Sequence, residues 1–251
     1  MLENKVAIVT GASSGIGYFT SLALSKAGAR VAVGARRTDR LQELEKQITK
    51  NKKNYKGEEI FVRKLDVTKK SDCDSFVDAV VKKWGKVDIL INNAGLMPLS
   101  YFKNSKVEEW EQMIDVNIKG VLYCTSAVIP HMLDEKSGHI VNISSVAGRI
   151  VFAGASVYCA TKHAITAFSE GLRMELSPKY NIRVTCIEPG AVSTELLQSI
   201  TDESMKGFIQ ATKNMETLQS EDIANAVLFA IDTPNHVNVN EILIRPTSQE
   251  R

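Results

Sequence analysis

The sequence is poor in cysteine: Cys73, Cys124, Cys159 and Cys186 are all it has, and no two form a Cys-x-x-Cys pair. That spacing excludes a zinc knuckle and a dense disulfide framework, and it fits a reducing compartment. His131, His139, His163 and His236 stand at no metal-ligand spacing either, so no metal is expected. Long apolar runs are missing as well. A membrane helix needs about 18 uninterrupted apolar residues, and the nearest approach, Ile223 to Ile231, is broken by Asn225. The first apolar run, Val6 to Val9, is too short for the core of an export signal and leads into Thr-Gly-Ala-Ser-Ser rather than a cleavage site. The expectation is a cytoplasmic protein with no membrane partner. Neither charge dominates: 31 Lys+Arg against 29 Asp+Glu leave a formal +2, which makes no electrostatic case for nucleic acid. The local cluster Lys50, Lys52, Lys53 and Lys56 reads as a solvated helix end, where cations suit the helix dipole. With 44% hydrophobic and 24% charged residues, the chain lies outside the disordered and collagenous classes and should bury a core.

Short β-branched runs alternate with longer amphipathic stretches. Strands are expected at Lys5–Thr10, Arg30–Gly34, Ile60–Leu65, Val87–Ile91, Gly138–Ile143, Ile182–Ile187 and Glu241–Arg245, with helices near 16–27, 38–50, 71–84, 106–135, 157–176 and 220–231. Ser220 followed by Glu221 and Asp222 looks like the cap of the last helix. Strands alternating with helices give an α/β fold, a doubly wound parallel sheet covered on both faces. No repeat or low-complexity linker marks a second domain, so residues 1–251 are expected to form one. Residues 194–219 lack firm periodicity and are expected to form a lid within it.

Directly after the first strand comes Thr10-Gly11-Ala12-Ser13-Ser14-Gly15-Ile16-Gly17, opening a helix. A helix N-terminus reached through glycines is where backbone amides can hold a pyrophosphate. The spacing, Gly-x-x-x-Gly-x-Gly, matches the general dinucleotide fingerprint only in part. The second strand ends at Arg36-Arg37, where an NAD enzyme would carry an acid for the ribose hydroxyl. Two guanidinium groups instead suit a 2′-phosphate, which argues for NADP(H). Asp39 falls in the first turn of the next helix, and Asp66 can accept from the adenine amino group. Tyr158-Cys-Ala-Thr-Lys162 sets a phenol and an ammonium one helical turn apart. A phenol has an ordinary pKa of about 10, so it acts near neutrality only if a cation favours phenolate, which Lys162 can do. Cys159 reads as a packing residue.

Taken in order, Thr10-Gly-x-x-x-Gly-x-Gly17, Asn92-Asn-Ala-Gly95, Ser145 thirteen residues before Tyr158, Tyr158-x-x-x-Lys162 and Pro189-Gly190 resemble the short-chain dehydrogenases/reductases over nearly the whole chain. The resemblance implies a single Rossmann-type domain of about seven strands in the order 3-2-1-4-5-6-7, with hydride transfer between a nicotinamide and a small carbonyl or hydroxy substrate. By that resemblance Tyr158 is the general acid of reduction, Lys162 lowers its pKa and holds the nicotinamide ribose, and Ser145, preferred to Ser144, polarises the carbonyl. Asn117 would complete a tetrad through a water linked to Lys162. Cofactor contacts would come from Gly11, Ser13, Ser14, Gly15, Ile16, Gly17, Arg36, Arg37, Asp66, Val67, Asn93, Ala94, Gly95, Tyr158, Lys162, Pro189, Gly190, Val192 and Thr194. The ending Val239–Gln249 is similar to NADP-dependent 3-hydroxy acid or serine dehydrogenases and related aldehyde and ketone reductases, and within that likeness Arg149 is a candidate carboxylate anchor. The family habit of pairing the long helices between subunits implies a homotetramer or dimer. A 3-oxoacyl or steroid-type reductase and a non-catalytic NADP(H) sensor are the alternatives.

Overall fold

The computed structural model describes residues 2–50 and 59–250. Lys52, Lys53 and Lys56 of the basic cluster lie outside them. Seven parallel strands form one sheet in the order β3-β2-β1-β4-β5-β6-β7, from β1 (Val6–Thr10), β2 (Arg30–Ala35), β3 (Ile60–Lys64), β4 (Ile89–Asn92), β5 (Gly138–Ile143), β6 (Ile182–Pro189) and β7 (Glu241–Ile244). Helices α1 (Gly15–Lys26), α2 (Thr38–Lys50), α3 (Lys70–Trp84), α4 (Val107–Ile114), α5 (Gly120–Glu135), α6 (Ser156–Tyr180), α7 (Lys206–Asn214) and α8 (Ser220–Ile231) connect or cover them. This is the doubly wound Rossmann sheet that the alternation of periods and the family resemblance led us to expect.

Strand β1 shows why both faces must be covered. All five residues are buried; Ala7 and Val9 pack with Leu22, Leu41, Ile223 and Val227 on one face, whereas Val6 and Ile8 pack with Phe76, Val80, Val128 and Leu176 on the other. A strand with apolar residues at every position has no face to give to water. The chain winds outward from β1 in both directions, since β1 pairs with β2 on one side and β4 on the other. The crevice above the carboxyl ends of β1 and β4 is the switch point where ligands bind in such sheets.

Two stretches differ from the sequence expectations. The helix read over 106–135 is α4 and α5 joined by a π-helical turn, Asp115–Lys119, whose buried member is Asn117. The apolar period runs through the widened turn, so periodicity alone does not reveal it. Within 194–219 the chain forms Glu195–Ser199 and Glu203–Met205, both 3₁₀ turns, and then α7. Side-chain caps start the two turns: Thr194 accepts from the Leu196 amide and Asp202 from the Ser204 amide. The last helix is capped by Gln219 rather than Ser220, in a capping box with Asp222.

Candidate active site

A cavity of about 1470 Å³ opens above the carboxyl ends of the strands. Its wall includes nearly every residue singled out in the sequence: Gly11, Ser13, Ser14, Gly15 and Ile16 after β1, Arg36 and Arg37 after β2, Asp66 and Val67 after β3, Asn93 to Gly95 after β4, and Ser145, Tyr158, Lys162, Pro189, Gly190, Val192 and Thr194 beyond. Gly17 and Asn117 stand behind this wall. Gly17 is buried, and a Cβ there would lie 2.6 Å from the Gly11 carbonyl oxygen, so its smallness serves the turn rather than a ligand contact. At Gly11, φ is +66° and a Cβ would meet the Ala94 Cα at 2.7 Å. The loop after β1 is thus pressed onto the loop after β4.

Asn93 and Thr10 fasten these two loops. The Asn93 amide nitrogen Nδ2 donates to the carbonyls of Thr10 (3.0 Å) and Gly11 (3.2 Å). The Thr10 hydroxyl accepts from the Asn93 and Ala94 amides, both at 3.1 Å. Asn92 points the other way, donating to Thr125 Oγ1 and to Asn142 Oδ1 inside the sheet. Ser14 caps α1 without a side-chain bond to the helix amides, and the first turn carries no acidic residue, so the helix presents open amides and its positive dipole end to the cavity. A pressed loop, open amides and a large adjoining space fit a dinucleotide pyrophosphate.

Arg37 lies across this loop, donating to Ser13 Oγ and to Ser14 Oγ (2.6 Å) and pairing with Glu195 Oε2 at 2.7 Å. The Glu195 partner was not foreseen, because nothing in the spacing of the chain links it to Arg37. Asp66 accepts from the Thr68 amide and hydroxyl. Burial acts to raise its pKa, but those two hydrogen bonds and the nearby Arg36 charge outweigh it and hold the carboxyl below its usual range. Asp39 sits in the first turn of α2 and is not part of the cavity wall.

At the centre, helix α6 carries Tyr158 and Lys162 on one face, with Lys162 Nζ 5.8 Å from the Tyr158 ring centre. The Lys162 ammonium donates to the Ile143 carbonyl at the end of β5 (2.9 Å). Ser145 Oγ accepts from the Ala147 amide and donates to the Pro189 carbonyl at 3.3 Å. Ser144, its rival, turns inward to the Lys162 carbonyl and Thr166. Asn117 spends its side chain on Leu96, accepting from the amide and donating to the carbonyl, both at 2.9 Å, and reaches Thr161 Oγ1 at 3.2 Å. It therefore ties the loop after β4 to α6, one residue from Lys162.

The Tyr158 shift runs opposite to the expectation from sequence. Burial pushes the phenol up to about 12, opposed only by the Ser145 hydrogen bond, and no contribution from Lys162 lowers it. Lys162 is itself brought down to about 8 by burial. Two groups drawn from water both favour their neutral forms. Arg149 is also corrected. Its guanidinium pairs with Glu188 (2.8 Å), which is buried on β6, and with Glu241 on β7. Those carboxylates turn it from the cavity, whose wall does not include it. Cys159 is buried in the apolar cluster beside Tyr158, as a packing residue.

The sequence profile of the short chain dehydrogenase family matches residues 5–205. The chain belongs to the short chain dehydrogenase family. An uncharacterized oxidoreductase of Staphylococcus saprophyticus is 46% identical over 250 residues, covering 99% of this chain and 98% of that protein. Among solved structures, the closed form of a serine dehydrogenase complexed with NADP+ superposes with a TM-score of 0.89 at 35% identity, covering 98% of this chain and 96% of the other. An alcohol dehydrogenase from the archaeon Thermococcus sibiricus, complexed with 5-hydroxy-NADP, gives 0.85 at 28% identity over 98% of each chain. By its family this short chain dehydrogenase is an oxidoreductase. The residues missed in sequence, Thr10, Thr161 and Glu195, all act on a neighbour of the expected site, a role that only the folded chain reveals.

Proposed function

We propose that the protein is an NADP(H)-dependent reductase that converts a small aldehyde or ketone reversibly into its alcohol. The observation that carries this reading is the meeting of the Tyr158 and Ser145 hydroxyls in one cavity, with the Lys162 side chain beside them. Bound reduced nicotinamide would supply the hydride. As the carbonyl oxygen gains negative charge, Ser145 and Tyr158 both donate to it, and Tyr158 passes its proton to it. A phenol held neutral by burial is already in the acid form that reduction needs. Lys162 would hold the nicotinamide ribose, and Asn117 is a positioning residue for α6 and the loop after β4. Arg36 and Arg37 support NADP(H) over NAD(H), because two cations on the cavity wall complement a 2′-phosphate. Residues 194–219, which form part of the wall beyond Thr194, would act as the substrate lid.

We also read the protein as a homotetramer. Met174 of α6 and Leu122 of α5 are 63% and 39% exposed, and Phe229 of α8 and Leu243 of β7 are 64% and 46% exposed. Exposed apolar residues on two separate sets of elements suit two interface types, as a tetramer with perpendicular axes requires. The test of the activity is NADPH consumption by the purified protein with a panel of small aldehydes and ketones. The expected result is substrate-dependent oxidation of NADPH in preference to NADH, and light scattering should return four times the chain mass.

A further inference from the structure

The cavity has a second end, away from the phosphate loop, and its chemistry is one-sided. Met97, Val151, Phe152, Met205, Phe208 and Met215 contribute to the wall there. Phe152, on the loop between Ser145 and α6, stacks on Phe208 of α7 with ring centres 5.9 Å apart and planes 12° from parallel. The stack joins the loop that follows Ser145 to the segment after Thr194. Met205 is buried beneath it in the same apolar cluster as Tyr158.

Cations are absent from this end among the described residues. The wall includes three basic residues, Arg36, Arg37 and Lys162. The two arginines belong to the phosphate end, and Lys162 is bound to the Ile143 carbonyl. Arg149 is consumed by Glu188 and Glu241. Nearby Lys103 holds its ammonium over the Tyr101 ring, Lys206 pairs with Glu203, and Lys213 is exposed on α7 outside the wall. Two of the polar side chains are spent: Ser199 accepts from the Met97 amide and donates to the Leu196 carbonyl, and Thr212 donates to the Phe208 carbonyl; Gln198 and Tyr101, also on the wall, are uncharged. A carboxylate brought into this end would lose its water without gaining a cationic partner, whereas an apolar substituent would gain by burial.

We propose that the substrate carbonyl carries an uncharged, apolar substituent and that Phe152 and Phe208 are the residues that select it. This rests on the reductase reading above and narrows it, excluding hydroxy acids and their oxo acids as preferred substrates.

The test pairs a β-keto ester with its free β-keto acid, which differ in charge at nearly constant shape, and adds an aryl alkyl ketone. In NADPH-dependent reduction, kcat/KM for the ester should exceed that for the acid by about a hundredfold or more. Phe208→Leu should raise KM for the aryl ketone by about tenfold. Unchanged NADPH binding, followed by nucleotide fluorescence, verifies that the variant is folded. Calorimetry on enzyme loaded with NADP+, which cannot reduce a ketone, reads substrate binding without turnover. Tighter binding of the ester and the aryl ketone than of the acid supports the proposal even if no substrate in the panel is reduced, an outcome that would count against the reductase reading alone. Equal or tighter binding of the acid, no binding of any of them, or an aryl ketone KM untouched by Phe208→Leu overturns it.

Discussion

At the phosphate end of the cavity the meeting of the loops after β1 and β4 is set by backbone, with the Arg36 and Arg37 side chains beyond it. Gly11 is pressed against the Ala94 main chain, the first turn of α1 offers amides, and Asn93 and Thr10 bind the two loops together through main-chain groups. At the other end the wall is side chain, hung on two 3₁₀ turns and the nine-residue α7, whose N-caps and aromatic stack hold them in place. Backbone walls tolerate almost no change of residue, because a main-chain position cannot retreat from an added methyl. Side-chain walls can be rebuilt one residue at a time. A short chain dehydrogenase can thus keep its cofactor while its substrate varies, since the two binding duties fall on parts of the chain with different freedom to change.

That contrast can be broken or sharpened by experiment. The largest effect expected at the phosphate end is from Arg36→Ala combined with Arg37→Ala, which should weaken NADPH about a hundredfold in a fluorescence titration and leave NADH nearly unchanged. Equal losses for both nucleotides would remove the 2′-phosphate assignment. Next comes Gly11→Ala. The strained φ and the Ala94 backbone at 2.7 Å leave the added methyl no space, so unfolding in denaturant should show a loss of about 2 kcal/mol together with weaker binding of either nucleotide. An unaffected variant would mean that this wall is softer than the contrast requires.

The third prediction concerns pH. Lys162, with a pKa brought down to about 8, carries its charge below that value and loses it above. Tyr158, raised to about 12, stays protonated throughout that range. Carbonyl reduction should therefore be flat at neutral pH and fall through about pH 8 toward tenfold per unit, with the phenol contributing nothing there. A profile that rises over that interval would contradict both assignments. The smallest effect is at the seam between the two ends, where Glu195 competes for Arg37. Glu195→Gln should tighten NADPH by about threefold, the modest value of an exposed ion pair, without changing NADH.

How far the sequence could be read follows the same division. Helix α2 runs from Thr38 to Lys50 as its period predicts, and β5 from Gly138 to Ile143. Helix α2 is long enough for its period to show, and β5 is read from its apolar residues Ile140, Val141 and Ile143, although its His139 and Asn142 are buried as well. The phosphate loop was legible because glycine is the one residue whose absence of a side chain is itself the message. Lys162 and Tyr158 were placed together by helix geometry alone, but the direction of the Tyr158 shift was not, since burial depends on the whole fold. Residues 194–219 gave no helical period because no piece there spans three turns, and their structure comes from caps on Thr194 and Asp202 and from the Phe152–Phe208 contact across 56 positions of chain. Arg149 was misread for a similar reason: Glu188 and Glu241, which hold it, are distant in sequence and adjacent only because β6 and β7 pair.

The central claim is that Tyr158 gives the proton in a reduction powered by NADPH. Its most direct test is the near-ultraviolet absorbance of NADPH, followed with a small aldehyde or ketone that the wild-type protein reduces, in wild type and in Tyr158→Phe. The account predicts that removing the one hydroxyl lowers kcat by about a thousandfold, while NADPH binding by fluorescence stays within about threefold of wild type, less than 1 kcal/mol. A Tyr158→Phe protein that consumes NADPH at the wild-type rate would contradict it.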